Sequence, residues 1–227
     1  MKTFTYVPGL PKLVSLESVD TPSGRFYTTP LGNTVPSVTT VLGYSKRDVI
    51  QKWRNNVGHE EANKISAKAS SRGTKLHSLC ENYLGNKKIL FENVMPDVHQ
   101  AFIDIRPELD KIDNIHYLET PLYSESLGIA GRTDIIGEYN NILSVIDIKN
   151  SLKEKKEEWI TNYFEQETAY SIMYEELIGT PIQQIVTIIA VEGRSEPQVF
   201  IKNRDDYIVS LLEKIYQYKK DHRNVVR

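Results

Sequence analysis

Between Gly128 and Lys149 the chain has few shapes open to it. Gly128-Ile-Ala-Gly131-Arg-Thr-Asp134 leads through Ile135 and Ile136 to Tyr139-Asn-Asn141, and Ile142-Leu-Ser-Val-Ile-Asp147-Ile-Lys149 follows directly. Apolar, β-branched runs on both sides of a Tyr-Asn-Asn turn predict neighbouring strands. In a strand, residues i and i+2 point to the same side. Asp147 and Lys149 therefore share a face, and Ile148 turns to the core. One carboxylate, Asp134, stands just past the Gly-rich segment, and a second, Asp147, lies two positions from a lysine. Two acids converging with one lysine suit hydrolysis of phosphodiesters. The acids hold a hard divalent cation through oxygen, and the lysine stabilises the attacking hydroxide or the growing phosphate charge.

Periodicity fills in the rest. Strands are predicted near 115–125, 129–138 and 142–149, and the run Ile185-Val-Thr-Ile-Ile-Ala-Val191 reads as a buried strand with a shorter neighbour at Gln198–Lys202. Helical spacing marks Arg47–Val57, with Trp53 and Val57 turned inward, and Glu60–Leu84, with Ala62, Ile65, Ala69, Leu76, Leu79, Cys80 and Tyr83. It also marks Pro96–Ile112, which Pro107 should kink or split, and Glu154–Ile178, with Trp159, Tyr163, Phe164, Met173 and Leu177 as its stripe. A last amphipathic helix is expected over Arg204–Asp221, with Ile208, Leu211, Leu212 and Ile215 packed and a basic tail beyond. The first 35 residues, rich in Pro, Gly, Thr and Ser, read as a hairpin or irregular cap. A short helix is expected from Ser37.

Two helices carry polar pairs at a spacing of four, which places each pair on one helix face: His77 with Glu81, and Gln166 with Tyr170. In chain order, Arg72-Gly-Thr-x-x-His77-x-x-x-Glu81, Gly131-x-x-Asp134, Asp147-x-Lys149 and Gln166-x-x-x-Tyr170 together resemble the RecB-like branch of the PD-(D/E)XK nuclease superfamily. Within it the chain is most similar to single-strand DNA exonucleases of the mitochondrial genome maintenance kind and to related phage exonucleases. Pro36-Ser-Val-Thr-Thr-Val-Leu-Gly43 resembles the segment that opens the nuclease region in these proteins. The resemblance spans roughly residues 36–192, and the combination is specific where any one motif is not.

That resemblance implies an α/β (α+β) fold with a restriction-endonuclease-like core, a central mixed sheet flanked by helices, and an N-terminal helical addition. One domain, 1–227, is expected, with a cap at 1–35, the core at 36–192, and a C-terminal strand and helix at 193–227. It implies Asp134, Asp147 and Lys149 as catalytic residues. A Mg²⁺ or Mn²⁺ ion would be held by Asp134, Asp147 and the Ile148 carbonyl, with His77 completing or supporting the shell. Gln166 and Tyr170 would pack beside the site, contacting substrate or supporting the lysine. Glu119 and Glu81 compete for a further supporting acid, and Arg72 and Lys75 are candidates for gripping phosphates. Tyr170 or Trp53 would stack on an unpaired base. The implied substrate is DNA, single-stranded or with a free end, in replication, recombination or repair, with proteins of those processes as partners. A structure-selective endonuclease or junction resolvase on the same core is the alternative. A catalytically silent DNA-binding recombination accessory protein is the third reading. A virus of bacteria is the expected source.

Many members of the branch hold an iron–sulfur cluster on four cysteines, but this chain has a single cysteine, Cys80, so no cluster is expected. One cysteine also rules out internal disulfides and fits a reducing compartment, with cytoplasm the default. No apolar run approaches the roughly 18–20 residues of a membrane span, and the first residues lack the order of a secretory signal. The net charge of −2 does not advertise nucleic-acid binding, but the distribution is uneven. Ten Lys or Arg face four acids between Lys46 and Lys88, whereas ten acids face three bases between Glu92 and Glu138. Lys64, Lys68, Arg72 and Lys75 recur at three or four residues and form one helical stripe. A basic, phosphate-tracking wall beside an acidic, metal-holding pocket is the expected arrangement. A monomer is expected, and nothing in the sequence demands a ring.

Overall fold

The computed structural model describes residues 2–222. Strands β1 (Glu17–Thr21), β2 (Gly24–Thr28) and β3 (Thr34–Pro36) form a small antiparallel sheet. Helices α1 (Val38–Tyr44), α2 (Arg47–Val57), α3 (His59–Leu84) and α4 (Pro96–Leu109) follow. The main sheet is built from β4 (Ile112–Ser124), β5 (Ile129–Tyr139), β6 (Ile142–Ser151), β7 (Gln184–Val191) and β8 (Gln198–Asn203), in that spatial order. Helix α5 (Thr161–Ile178) connects β6 to β7, and α6 (Ile208–His222) comes last. Among the strands of the described residues, only β6 and β7 pair in parallel. A parallel pair needs a crossover, which α5 provides. The product is a mixed α+β fold with a five-stranded sheet between helices.

Each face of the sheet buries its own core. Val145, Ile185 and Ile189 pack with Phe164, Met173 and Tyr174 of α5 and Leu211 and Ile215 of α6. Their neighbours in sequence, Ile146, Ile148, Val186 and Ile188, pack on the opposite side with Leu76 and Leu79 of α3 and Phe102 and Ile105 of α4. A sheet covered on both faces needs continuous apolar strands rather than alternating ones, which is why β7 reads as an unbroken run. The β5–β6 turn has left-handed backbone at Asn140 (φ 51°) and Asn141 (φ 64°), the conformation for which asparagine is suited. The small sheet joins the main one through Tyr27, Val35 and Ala130 and a bridge from Ser37 to Ala130.

Several local expectations need correction. Helix α2 buries none of its residues, and Trp53 and Val57 are exposed rather than turned inward. Its periodicity marks an apolar face, but no part of the described chain covers that face. Ile65, Ala69, Trp159 and Leu212 are likewise exposed. Helix α3 is 26 residues, about 39 Å long; Ala62 is buried in its first half, and the residues it gives to the core under the sheet begin at Leu76. Helix α4 runs unbroken through Pro107, which falls in the last turn, where little helix remains to be disrupted. Ile112 opens β4 instead of closing α4. Residues 204–207 form a 3-10 turn ahead of α6. Lys219 and Lys220 lie in the last turn of α6; Arg223 and Arg227 of the expected basic tail lie outside the described residues. No helix among the described residues is long and apolar enough to cross a membrane.

Candidate active site

The site forms where two strands separate. The β5–β6 ladder runs from Tyr139↔Ile142 to Ile135↔Ile146 and stops there. One step on, the Ile148 N–H donates to Asp134 Oδ2 at 2.9 Å, so a side chain takes the place of a backbone acceptor. On the other side of β5, Leu118↔Ile135 and Thr120↔Thr133 flank Glu119, whose φ of 45° is left-handed in mid-strand. Such a backbone costs a non-glycine residue about 1 kcal/mol or more and persists only where its surroundings enforce it. Arg132 contributes by donating to the Glu119 carbonyl at 2.7 Å. Glu119 and Asp134 both reach the α3 side of the sheet and line one pocket with His77 and Cys80.

There, His77 Nδ1 lies 3.3 Å from Asp134 Oδ2 and 3.7 Å from Glu119 Oε1. One ligand atom from each of the three residues falls within 4.8 Å of the others, a group able to hold a metal ion. Burial works against charge on His77, but the adjacent Asp134 and Glu119 outweigh it and push its pKa up to about 10. Burial alone would raise Asp134, yet His77 and Lys149 hold it below the usual carboxylate range. An imidazole protonated this firmly must shed its proton before it can bind a cation.

Asp147 and Lys149 lie on the α5 side. Asp147 is 2% exposed and its Oδ2 pairs with Lys149 Nζ. Burial, reinforced by Asp134, pushes Asp147 up to about 6 against the pull of Lys149. For Lys149, burial is outweighed by Asp147 and Asp134, which raise its pKa and keep it an ammonium. Gln166 Nε2 donates to Asp147 Oδ1 at 3.4 Å and to Tyr170 Oη at 3.3 Å. Tyr170 packs so tightly on β5 that a Cβ at Gly131 would lie 2.6 Å from its ring.

The remaining sequence candidates divide. Glu81 sits at the rim with His77 and Glu119, 3.4 Å from Lys87, outside the three-residue group. Arg72, expected to grip phosphates, is buried instead: its guanidinium lies 2.5 Å from Glu192 and 3.3 Å from Asp97, pinning α3 to the turn after β7 and to α4. Lys75 is exposed. Trp53 is exposed on α2, whereas Tyr170 is 2% exposed and has no face free for a base. Three neighbours were not among the candidates the sequence assigned to the site; Tyr163 was read only as part of an apolar stripe. Thr187 is the cross-strand partner of Asp147 and bonds Glu167, which is fully buried. Tyr163 places its ring 5.2 Å from Lys149 Nζ. Thr187 and Glu167 carried a sequence signal only as polar residues in apolar runs.

This defines a mixed-sheet protein with a histidine–carboxylate cluster beside an Asp-x-Lys pair at a break in the ladder. No family model matches the chain. Human mitochondrial genome maintenance exonuclease 1 is 26% identical over 132 residues, covering 54% of this chain. The chain spans 38% of that relative's length. The crystal structure of SSO0001 aligns over 81% of this chain and 75% of its own at 17% identity, with a TM-score of 0.42, too distant to carry an argument.

Proposed function

We propose that the chain is a metal-dependent deoxyribonuclease of the PD-(D/E)XK kind, acting as an exonuclease on single-stranded DNA ends. The observation that carries this is the convergence of His77, Glu119 and Asp134 next to the Asp147–Lys149 pair. The distant likeness to a genome maintenance exonuclease supports it.

The donor set fits a divalent cation. Carboxylates suit Mg²⁺ and Mn²⁺, and the imidazole tilts the site toward Mn²⁺. His77, Glu119 and Asp134 would hold the ion, with Asp147 and the Ile148 carbonyl completing its shell. When bound, the ion would polarise the scissile phosphate and offset its charge. Lys149, an ammonium beside Asp147, would steady the attacking hydroxide or the phosphorane charge. Gln166 holds Asp147 in place. Beside the site, a groove of about 600 Å³ is lined by Ile65, Ala69 and Leu152 together with Lys68, Lys153 and Lys155. Apolar surface for a base and cations for phosphates suit an unpaired strand.

The test is degradation of an end-labelled linear single strand with Mg²⁺, Mn²⁺ or EDTA, beside a circular single strand of similar sequence. Metal-dependent loss of the linear strand alone, abolished by Asp147→Ala and by Lys149→Ala, is the expected result. Cutting of the circle would make the enzyme an endonuclease. Normal turnover by both variants would remove the assignment.

A further inference from the structure

Lys149 is gripped from two directions. Its Nζ meets the Asp147 carboxylate on one side and, 5.2 Å away, the ring of Tyr163 on another. Tyr163 belongs to the first turn of α5, anchored by its own N–H donating to the Ile160 carbonyl at 2.7 Å. It is distinct from the buried Tyr170, which bonds Gln166. Its ring is only half-buried, and the Lys149 side chain is 20% exposed, so the two stand together at the mouth of the site.

A lysine ammonium is a point charge on a flexible four-carbon stem. A single carboxylate leaves that stem free to swing about the ion pair, and an aromatic face within about 6 Å attracts the same cation electrostatically. Acid and ring together define one position. We propose that Tyr163 is a positioning residue for Lys149, its ring face fixing where the ammonium points. The need is for an aromatic face, not for a hydroxyl. The face that carries the cation is thereby assigned to Lys149 and not to a base. The inference rests on the reading of Lys149 as catalytic, and two separate measurements keep the two claims apart.

The variants are Tyr163→Phe, which keeps the ring, and Tyr163→Leu, which removes it while filling much of the space. The first measurement is the NMR position of the Lys149 ε-methylene in substrate-free protein. A ring face overhead moves it upfield in wild type and Tyr163→Phe, and the shift disappears in Tyr163→Leu. The second is cleavage of a linear single strand. Tyr163→Phe keeps both parameters within about twofold, whereas Tyr163→Leu lowers kcat about tenfold with KM within about twofold, the scale of about 1.4 kcal/mol. An unshifted ε-methylene in wild type overturns the placement whether or not the protein cleaves DNA. A raised KM at unchanged kcat overturns the positioning role in favour of base stacking, and equal impairment of Phe and Leu overturns it in favour of the hydroxyl. If wild type cleaves nothing, the nuclease reading fails, and the upfield shift alone decides whether Tyr163 holds Lys149.

Discussion

Gly131→Ala tests the packing on which the Asp147 side of the site depends. The new Cβ would sit 2.6 Å from Tyr170 Cε1, 2.9 Å from its Oη and 3.2 Å from its Cζ. Ordinary carbon contacts lie near 3.5–4.0 Å, so the ring must retreat by about 1 Å. It has nowhere to go, because Tyr170 is 2% exposed on the inner face of α5. Overpacking of this sort costs about 1–3 kcal/mol, and a displaced Tyr170 also strains the Gln166 bond to Asp147, a further ~1 kcal/mol. The expected loss is therefore about 2–4 kcal/mol, a Tm lower by roughly 4–16 °C for a chain of this size. Misplacing a catalytic group by about 1 Å costs on the order of 100-fold in rate, so single-strand cleavage should fall by one to two orders of magnitude even where the variant is folded. A double-mutant cycle with Tyr170→Ala isolates the contact. The two substitutions should couple by about 1 kcal/mol or more, since without the ring the added methyl meets open space. Wild-type melting by Gly131→Ala, or simple additivity in the cycle, would refute the reasoning.

Three other expectations follow from the buried charges. His77 is pushed up to about 10, so binding of Mn²⁺ at pH 8 should release about one proton, measured by calorimetry in buffers of different ionisation enthalpy; uptake, or no release, would contradict the His77–Asp134 pair. Glu167 is fully buried with one oxygen unpartnered, and burial raises its pKa well above the ordinary 4.5. The unfolded chain loses that proton above about pH 4.5 while the folded chain keeps it, so stability falls as pH rises. Glu167→Gln should therefore match wild type in Tm at pH 4 and gain on it as the pH rises above about 4.5, and a constant difference would refute the neutral acid. Arg72→Ala leaves Glu192 and Asp97 without their cation. Both acids are partly exposed, so the cost is about 2–3 kcal/mol rather than the 3–5 of a wholly buried pair. Thermal melting should show it, with little change in the salt dependence of DNA binding beyond that due to unfolding.

The parts of this arrangement that depend on local spacing could be read from the residues. Two-residue parity puts Asp147 and Lys149 on one face, the four-residue step aligns Gln166 with Tyr170, and the Asn-Asn turn fixes the β5–β6 register. What depends on distant partners was left open, as with Glu119 against Glu81, or misread, as with Arg72. Glu81 shares a helix face with His77, yet Glu119, 42 positions away in the chain, is the acid that reaches it. Glu119 does so only because its backbone turns left-handed and the neighbouring ladder ends, and no period in the sequence encodes either event. Arg72 looked like one of a row of exposed cations, and only the meeting of α3, α4 and the turn after β7 commits it to Glu192 and Asp97. Trp53 and Val57 show the converse limit. Periodicity reveals that α2 has an apolar face, but whether anything covers that face is a tertiary matter.

The break in the ladder also gives the molecule an internal gauge. The Ile148 N–H is held by a carboxylate oxygen and not by a carbonyl, so its electron density and its exchange with solvent follow whatever that carboxylate is doing. When Asp134 turns toward a cation, this one amide should shift and exchange faster, while that of Ile146, still inside the regular ladder, should not. A single backbone proton in the middle of the sheet would then report, without substrate and without turnover, how full the site is.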